Sequence, residues 1–303
     1  MNKICVVGCG NVGMAYVHEI ALKAHFVEEI VLLDIDKQKA EGEALDIMHT
    51  MPFNDNYMLV HAGDYADCAD ANLLVITAGK NQKKGGETRQ ELLKSNAEVV
   101  TSIIKSAEKA GFKGVYLIAT NPVDVLTYIA CTKCGVSASR IIGTGTTLDS
   151  ARLKYALSAK LGINPRSING YVLGEHGDSE FVAWSVSNIS GANLSANLDE
   201  ATKIELEKEV INSAYKIIDA KGYTNSGVGA CLYALTKAVL CNENEVFTAS
   251  ALHVQEDMCY SSPVVVGAKG VVNKITLDLS ATEKEKLNES IAKLRESYKN
   301  YKK

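Results

Sequence analysis

The 303-residue chain sets 32 Lys and Arg against 36 Asp and Glu, a net charge of −4, with 47% hydrophobic and 22% charged residues. That balance excludes a disordered chain and leaves no basic face for nucleic acid or an anionic membrane. No apolar run reaches the length of a membrane span and no charged-then-apolar leader precedes Ile4, so the eight cysteines are expected to be reduced thiols of a cytoplasmic protein.

In chain order, the short apolar runs 4–7, 30–34, 73–78 and 115–119 are rich in Val, Ile and Leu and predict buried parallel strands. Between them, a helix from Asn11 shows Val12, Ala15, Tyr16 and Ile20 on one face, and a second over 88–110 repeats Leu92, Val99, Ile103 and Ala107. A further helical stretch, 124–134, ends in Cys131 and Cys134. With no second cysteine pair or nearby histidine, these read as small apolar side chains, and no metal site is predicted. The pattern shifts near Gly143-Thr144-Gly145. Beyond it come a helix over 201–220, a hairpin of 263–266 with 270–274, and a helix over 282–301 whose stripe Leu287, Ile291, Leu294, Tyr298 packs on its own domain. The expected fold is α/β: a parallel-sheet domain over 1–143 and an α+β domain over 144–303.

Gly8-Cys9-Gly10-Asn11-Val12-Gly13 follows the first strand and opens the first helix, the context a dinucleotide fingerprint requires. Gly8 permits the turn, Gly10 lets backbone approach a pyrophosphate, and Gly13 lets helix and strand pack closely. Asp34 ends the second strand, where a carboxylate accepts ribose hydroxyls and repels a 2′-phosphate; the cofactor is therefore expected to be NAD. Cys9 sits at the same helix N-terminus, where a thiol's pKa falls, so its alkylation or oxidation could block the cofactor, but the favoured reading is a small buried filler.

His176 lies in Gly174-Glu175-His176-Gly177-Asp178, and imidazole exchanges protons near neutral pH. Asp149 is the candidate carboxylate behind it. Arg152, three residues on, shares a helix face with Asp149 and offers a fork for a substrate carboxylate. Arg89 ends the loop Gly85-Gly86-Glu87-Thr88-Arg89, from which it is expected to swing in and stabilise developing oxyanion charge.

Across essentially its whole length the chain resembles the L-lactate/L-malate dehydrogenase superfamily, on its lactate-like branch. Besides the stretches above, Thr120-Asn121-Pro122-Val123-Asp124 and Lys221-Gly222-Tyr223-Thr224 carry the likeness. The resemblance implies an NAD-binding Rossmann domain over 1–143 and a substrate-binding and catalytic domain over 144–303, with His176 as proton donor and acceptor, Asp149 as its partner, Arg152 as carboxylate anchor and Arg89 as the lid arginine. It also implies that Asn121 bonds the reacting oxygen and Thr224 lines the pocket. Cofactor contacts implied in the same way are Val12, Asp34, Lys39, Tyr65, Gly79, Lys80, Ser102 and Thr144.

The lid reads Asn81-Gln82-Lys83-Lys84-Gly85-Gly86. Gln82, where malate enzymes of the family carry arginine, favours a neutral substrate side chain, because a second carboxylate would be buried unpaired. The lid is one residue longer than is typical of lactate enzymes. Runs such as Phe181-Val182-Ala183-Trp184-Ser185 are also similar to L-2-hydroxyisocaproate dehydrogenases. The expectation is an L-2-hydroxy-acid dehydrogenase acting on pyruvate. The alternative is bulkier branched keto acids, and malate stays open through Lys83 or Lys84. A non-catalytic NAD-binding sensor would have no need of His176, Arg89, Asp149 and Arg152 together. Lys154 and Asn169 stand where family members activated by fructose 1,6-bisphosphate carry arginine and histidine, so little activation is expected. A homodimer or homotetramer through helix faces, without exchanged N-terminal arms, is implied.

Overall fold

The computed structural model describes residues 2–80 and 89–301, the side chain of Arg89 excepted. Six strands, β1 (Lys3–Val7), β2 (Glu29–Leu33), β3 (Leu59–Ala62), β4 (Leu73–Ile76), β5 (Val115–Ile118) and β6 (Ile141–Gly143), run parallel in the order β3-β2-β1-β4-β5-β6. Their residues alternate between two cores, as the period of two in a strand demands. Ile4, Val6, Ile30, Leu32, Leu73 and Val75 face one side; Cys5, Val7, Val31, Leu33, Leu74 and Ile76 face the other. Helices α1 (Asn11–Lys23) and α2 (Lys37–Met48) cover the first face. Helices α3 (Arg89–Ala110) and α4 (Val123–Lys133) cover the second. This is the Rossmann-like N-terminal domain.

Helix α5 (Thr147–Leu161) leads into the C-terminal α/β domain and stops at Gly162, which takes the left-handed conformation at φ 66°. Short strands follow: β7 (Ile168–Asn169), β8 (Val172–Leu173), β9 (Phe181–Val182), β10 (Asn188–Ile189) and β11 (Ala192–Asn193). Then come α6 (Leu194–Asn197), α7 (Glu200–Lys221) and α8 (Ser226–Leu240), the meander β12 (Glu245–His253), β13 (Met258–Gly267), β14 (Gly270–Lys274), and α9 (Ala281–Tyr301).

The expected hairpin of 263–266 with 270–274 is the outer part of that meander. β12 pairs antiparallel with β6 through Ser250 and Gly143, so one nine-stranded sheet runs through both halves of the chain. Helix α8 then packs back on α1 so closely that a Cβ on Gly229 would lie 2.9 Å from the Ala15 carbonyl carbon. It adds Leu232, Leu235 and Val239 to the core of the first domain.

The strand order reverses between β2 and β4, both neighbours of β1, which opens a crevice at the carboxyl ends of β1 and β4. The glycine turn sits there. A Cβ at Gly13 would run into the Gly8 carbonyl oxygen and stand 2.8 Å from Thr77 Oγ1. Gly13→Ala is therefore expected to lower the unfolding free energy by about 1–3 kcal/mol in urea titrations, the cost of overpacking a filled site.

Candidate active site

β1 is followed by Gly8 at φ 106°, where the Ala78 backbone would come within 2.5 Å of any Cβ. Two residues on, exposed Gly10 begins α1 with no side-chain cap and no acidic residue in the first turn, and a Cβ there would meet nothing within 4 Å. The first N–H groups of α1 and their partial positive charge therefore stay open toward the crevice. Asp34, one residue past β2, is fixed beside this turn. Its Oδ2 accepts the Cys9 N–H at 2.7 Å and its Oδ1 the Asp36 N–H at 3.0 Å. An uncapped helix start with room at Gly10 and an anchored carboxylate next to it fit a dinucleotide's pyrophosphate and ribose.

The other expected cofactor residues lie at the ends of the parallel strands or on the helices beside them. Val12 is half-buried in the first turn of α1, Tyr65 half-buried after β3, and Lys39 exposed on α2. Gly79 and Lys80 are exposed after β4, and buried Thr144 follows β6 with its N–H on the Ile118 carbonyl at 2.9 Å. Ser102 is exposed on α3, on the face it shares with exposed Glu98 and Lys105. Cys9 is the buried filler and not the reactive thiol. It is 1% exposed, and burial together with the Asp34 charge pushes its thiol up to about 12, so the fall in pKa at the helix start does not occur.

Asp149 is in the first turn of α5, where the helix dipole favours a carboxylate, and it is 1% exposed. One oxygen meets His176 Nδ1 at 2.6 Å, and the other accepts from Arg152 Nη1 at 2.6 Å. Burial works against the charge of Asp149, yet the two cations hold its carboxyl below the usual carboxylate range. Burial likewise opposes the imidazolium of His176, but the charge and hydrogen bond of Asp149 outweigh it and raise the ring to about 9. Arg152 places Nη1 on Asp149, and its remaining N–H groups have no partner among the described residues.

The loop bearing His176 is held from three directions. Gly174, at φ 92°, exchanges backbone hydrogen bonds of 3.0 and 2.8 Å with Ser261 of β13. Glu175 N–H donates to Ser290 Oγ of α9 at 2.7 Å, and His176 N–H donates to Asp124 Oδ2 of α4 at 2.7 Å. Burial raises Asp124 to about 6, and its Oδ1 is buried without a hydrogen bond.

Asn121 follows β5 and accepts the Val123 N–H on its Oδ1 at 3.3 Å, which leaves its amide N–H groups without a partner among the described residues. Thr224 is half-buried between α7 and α8. Gln82 and the side chain of Arg89 lie outside the described residues; Arg89 itself begins α3.

Three residues of the site carried no expected role. Buried Asn96 of α3 accepts the Lys80 N–H at 2.8 Å and donates to the Asn121 carbonyl at 2.8 Å, tying the loops after β4 and β5 together. Its signal was an amide on an otherwise apolar helix face. Asp124 was legible as a lone acid in Val123-Asp124-Val125-Leu126. Buried Glu180, whose carboxyl lies within 4.8 Å of the facing atoms of both Asp149 and His176, gave no such signal.

Comparison with known proteins shows the family of the chain. The family model of the lactate/malate dehydrogenase NAD-binding domain matches residues 2–143, and that of the family's alpha/beta C-terminal domain matches residues 146–303. An L-lactate dehydrogenase 2 of Bacillus cereus is 41% identical over 98% of this chain and 97% of its own. One from Enterococcus faecalis is 40% identical over 97% and 96%. Among solved structures, MGS-M5, a lactate dehydrogenase from a Medee basin deep-sea metagenome library, superposes with a TM-score of 0.96 at 42% identity, covering 100% of this chain and 99% of that one. The minor L-lactate dehydrogenase of Enterococcus mundtii does so with 0.95 at 38% identity, covering 98% of each.

Replacing Asp149 by Asn removes the one carboxylate that touches both cations. Asp149→Asn is expected to cost about 3–5 kcal/mol of stability at neutral pH by urea unfolding. His176, followed by histidine NMR, should fall from about 9 to below its ordinary value, since burial then acts with less opposition.

Proposed function

The chain belongs to the lactate/malate dehydrogenase family and is an NAD-dependent oxidoreductase acting on 2-hydroxy acids, and from that premise we propose that it interconverts pyruvate and L-lactate through His176, Asp149 and Arg152. The observation that carries this reading is the single buried carboxylate joining the imidazole to the guanidinium. NADH, when bound, supplies the hydride to the carbonyl carbon. His176, with Nδ1 committed to Asp149, gives its Nε2 proton to the carbonyl oxygen and later recovers one from solvent. Asp149 stays ionised, which fixes the ring and favours the imidazolium. Arg152, held by the same carboxylate, keeps its other donors for the substrate carboxylate, so proton donor and anchor are spaced by one group. Asn121 offers its amide to the reacting oxygen, Thr224 lines the pocket, Gln82 discriminates the substrate's side chain, and Arg89 stabilises the developing oxyanion charge.

Gln82 favours a neutral substrate side chain, and the longer lid favours room for a branched one. Eight free cysteines, and the absence of any helix long and apolar enough to cross a membrane among the described residues, fit a cytoplasmic protein. Half-buried Lys154 faces Glu245, whose charge repels an incoming phosphate, which supports a weak response to fructose 1,6-bisphosphate. Exposed Leu45 of α2, Tyr155 of α5 and Ile204 and Ile217 of α7 are apolar helix surface that suits a homodimer or homotetramer, and sedimentation velocity should show no monomer at micromolar concentration.

NADH oxidation with pyruvate, 2-ketoisocaproate and oxaloacetate side by side tests the substrate. Pyruvate should give the highest kcat/KM, with its KM unmoved by fructose 1,6-bisphosphate. A higher value for 2-ketoisocaproate assigns the enzyme to branched acids, and a higher one for oxaloacetate refutes the reading. Because keto-acid reduction consumes the imidazolium, its kcat/KM should fall as pH rises through about 9, while lactate oxidation, which needs the neutral ring, rises through the same range.

A further inference from the structure

Asp149 is one negative charge touching two positive ones, so with no substrate carboxylate on Arg152 the protonated cluster of Asp149, Arg152 and His176 is short of a carboxylate. Glu180 stands where that charge is missing. It is 8% exposed, and its carboxyl lies within 4.8 Å of the facing atoms of Asp149 and His176. Its position is set by the backbone. The Glu180 N–H closes a turn on the Gly177 carbonyl at 3.1 Å, and the next residue, Phe181, pairs with Leu173 of β8.

The groups that face it are Asp149 and Arg152 from α5 and His176 from its own loop. Asp124 of α4 stands behind His176, and Cys231 of α8 lies beside Asp149 and Arg152 with its thiol kept neutral by burial. Among these, only His176 and Arg152 are cations, and Asp149 already binds both.

We propose that Glu180 is the second counter-charge of the His176 imidazolium, a positioning residue that keeps His176 protonated for keto-acid reduction. When His176 gives up its proton the cluster holds one negative charge too many, and Glu180 becomes the group that takes a proton up. Burial and the Asp149 charge push Glu180 up to about 8, so it is largely neutral at pH 7 and supplies its charge as pH rises between about 8 and 9, where it holds the His176 midpoint up. The inference rests on the reading of His176 as the proton donor.

The test compares Glu180→Gln and Glu180→Asp with the parent as full-length proteins. Labelled-histidine NMR, with the His176 resonance assigned from His176→Gln, gives the ring's midpoint without reference to turnover. In Glu180→Gln that midpoint should drop by about one unit, the effect of removing a nearby opposite charge. Glu180→Asp, which keeps the charge, should restore most of it. The alkaline limb of pyruvate reduction should move down in parallel, so that the loss of kcat/KM in Glu180→Gln grows to about tenfold above pH 9. A His176 midpoint in Glu180→Gln that stays at the parent value overturns the proposal, even if the variant is less stable or slower at every pH. A parent that turns over no keto acid overturns the proposed function instead, and the NMR midpoint still decides the role of Glu180.

Discussion

Everything in the site depends on one buried carboxylate that two cations share. Removing Asp149 from water is costly, and the contacts with His176 and Arg152 at 2.6 Å each offset that cost only while the geometry is kept. The surrounding structure is arranged to keep it. Asp149 and Arg152 are one turn apart on α5, so helix geometry alone sets their spacing. His176 comes from a distant loop and needs external fixing, which β13, α9 and α4 supply through Ser261, Ser290 and Asp124. The charge requirement of one side chain thus determines which elements of both halves must touch.

A similar logic holds the cofactor side. The loops after β4 and β5 meet at Asn96, an amide that would be costly to bury unless each of its groups had a partner. Rigid loop bases and an uncapped helix start leave the crevice shaped before any ligand arrives, which lowers the ordering cost of binding.

The sequence told most where one residue type has one physical use. Gly8 and Gly13 were readable because only glycine tolerates a positive φ or a carbonyl at its α-carbon, and strands β1, β2, β4 and β5 because continuous Val, Ile and Leu runs fit a sheet buried on both faces. The strand residues nearest the crevice misled: Asp34 and Ala78 were counted as strand and lie beyond it, since the ladder ends where the ligand site begins. β12 was missed because Thr248, Ala249, Ser250 and Ala251 lack the bulky alternation of a strand; their small size is what lets Gly143 and Gly145 pack against them. Cys9 is the small buried filler that was the favoured reading: burial, not its place at the helix start, decides its thiol. Glu180 was invisible for a different reason. Its importance comes from a charge deficit among three residues brought together only by folding.

The continuous sheet also fixes an order of events during synthesis. When residues 1–143 have emerged from the ribosome, β6 has a partner on one side only, and the face of α1 bearing Tyr16, Val17 and Ile20 still lacks α8. The missing helix ends about a hundred residues later, and the strand that seals β6 follows it. For that interval the nascent domain presents an open strand edge and an apolar helix face, the two features most prone to wrong pairing. Translation speed across the second half, and the chaperones that meet this chain as it emerges, therefore bear directly on how much of it reaches the native state.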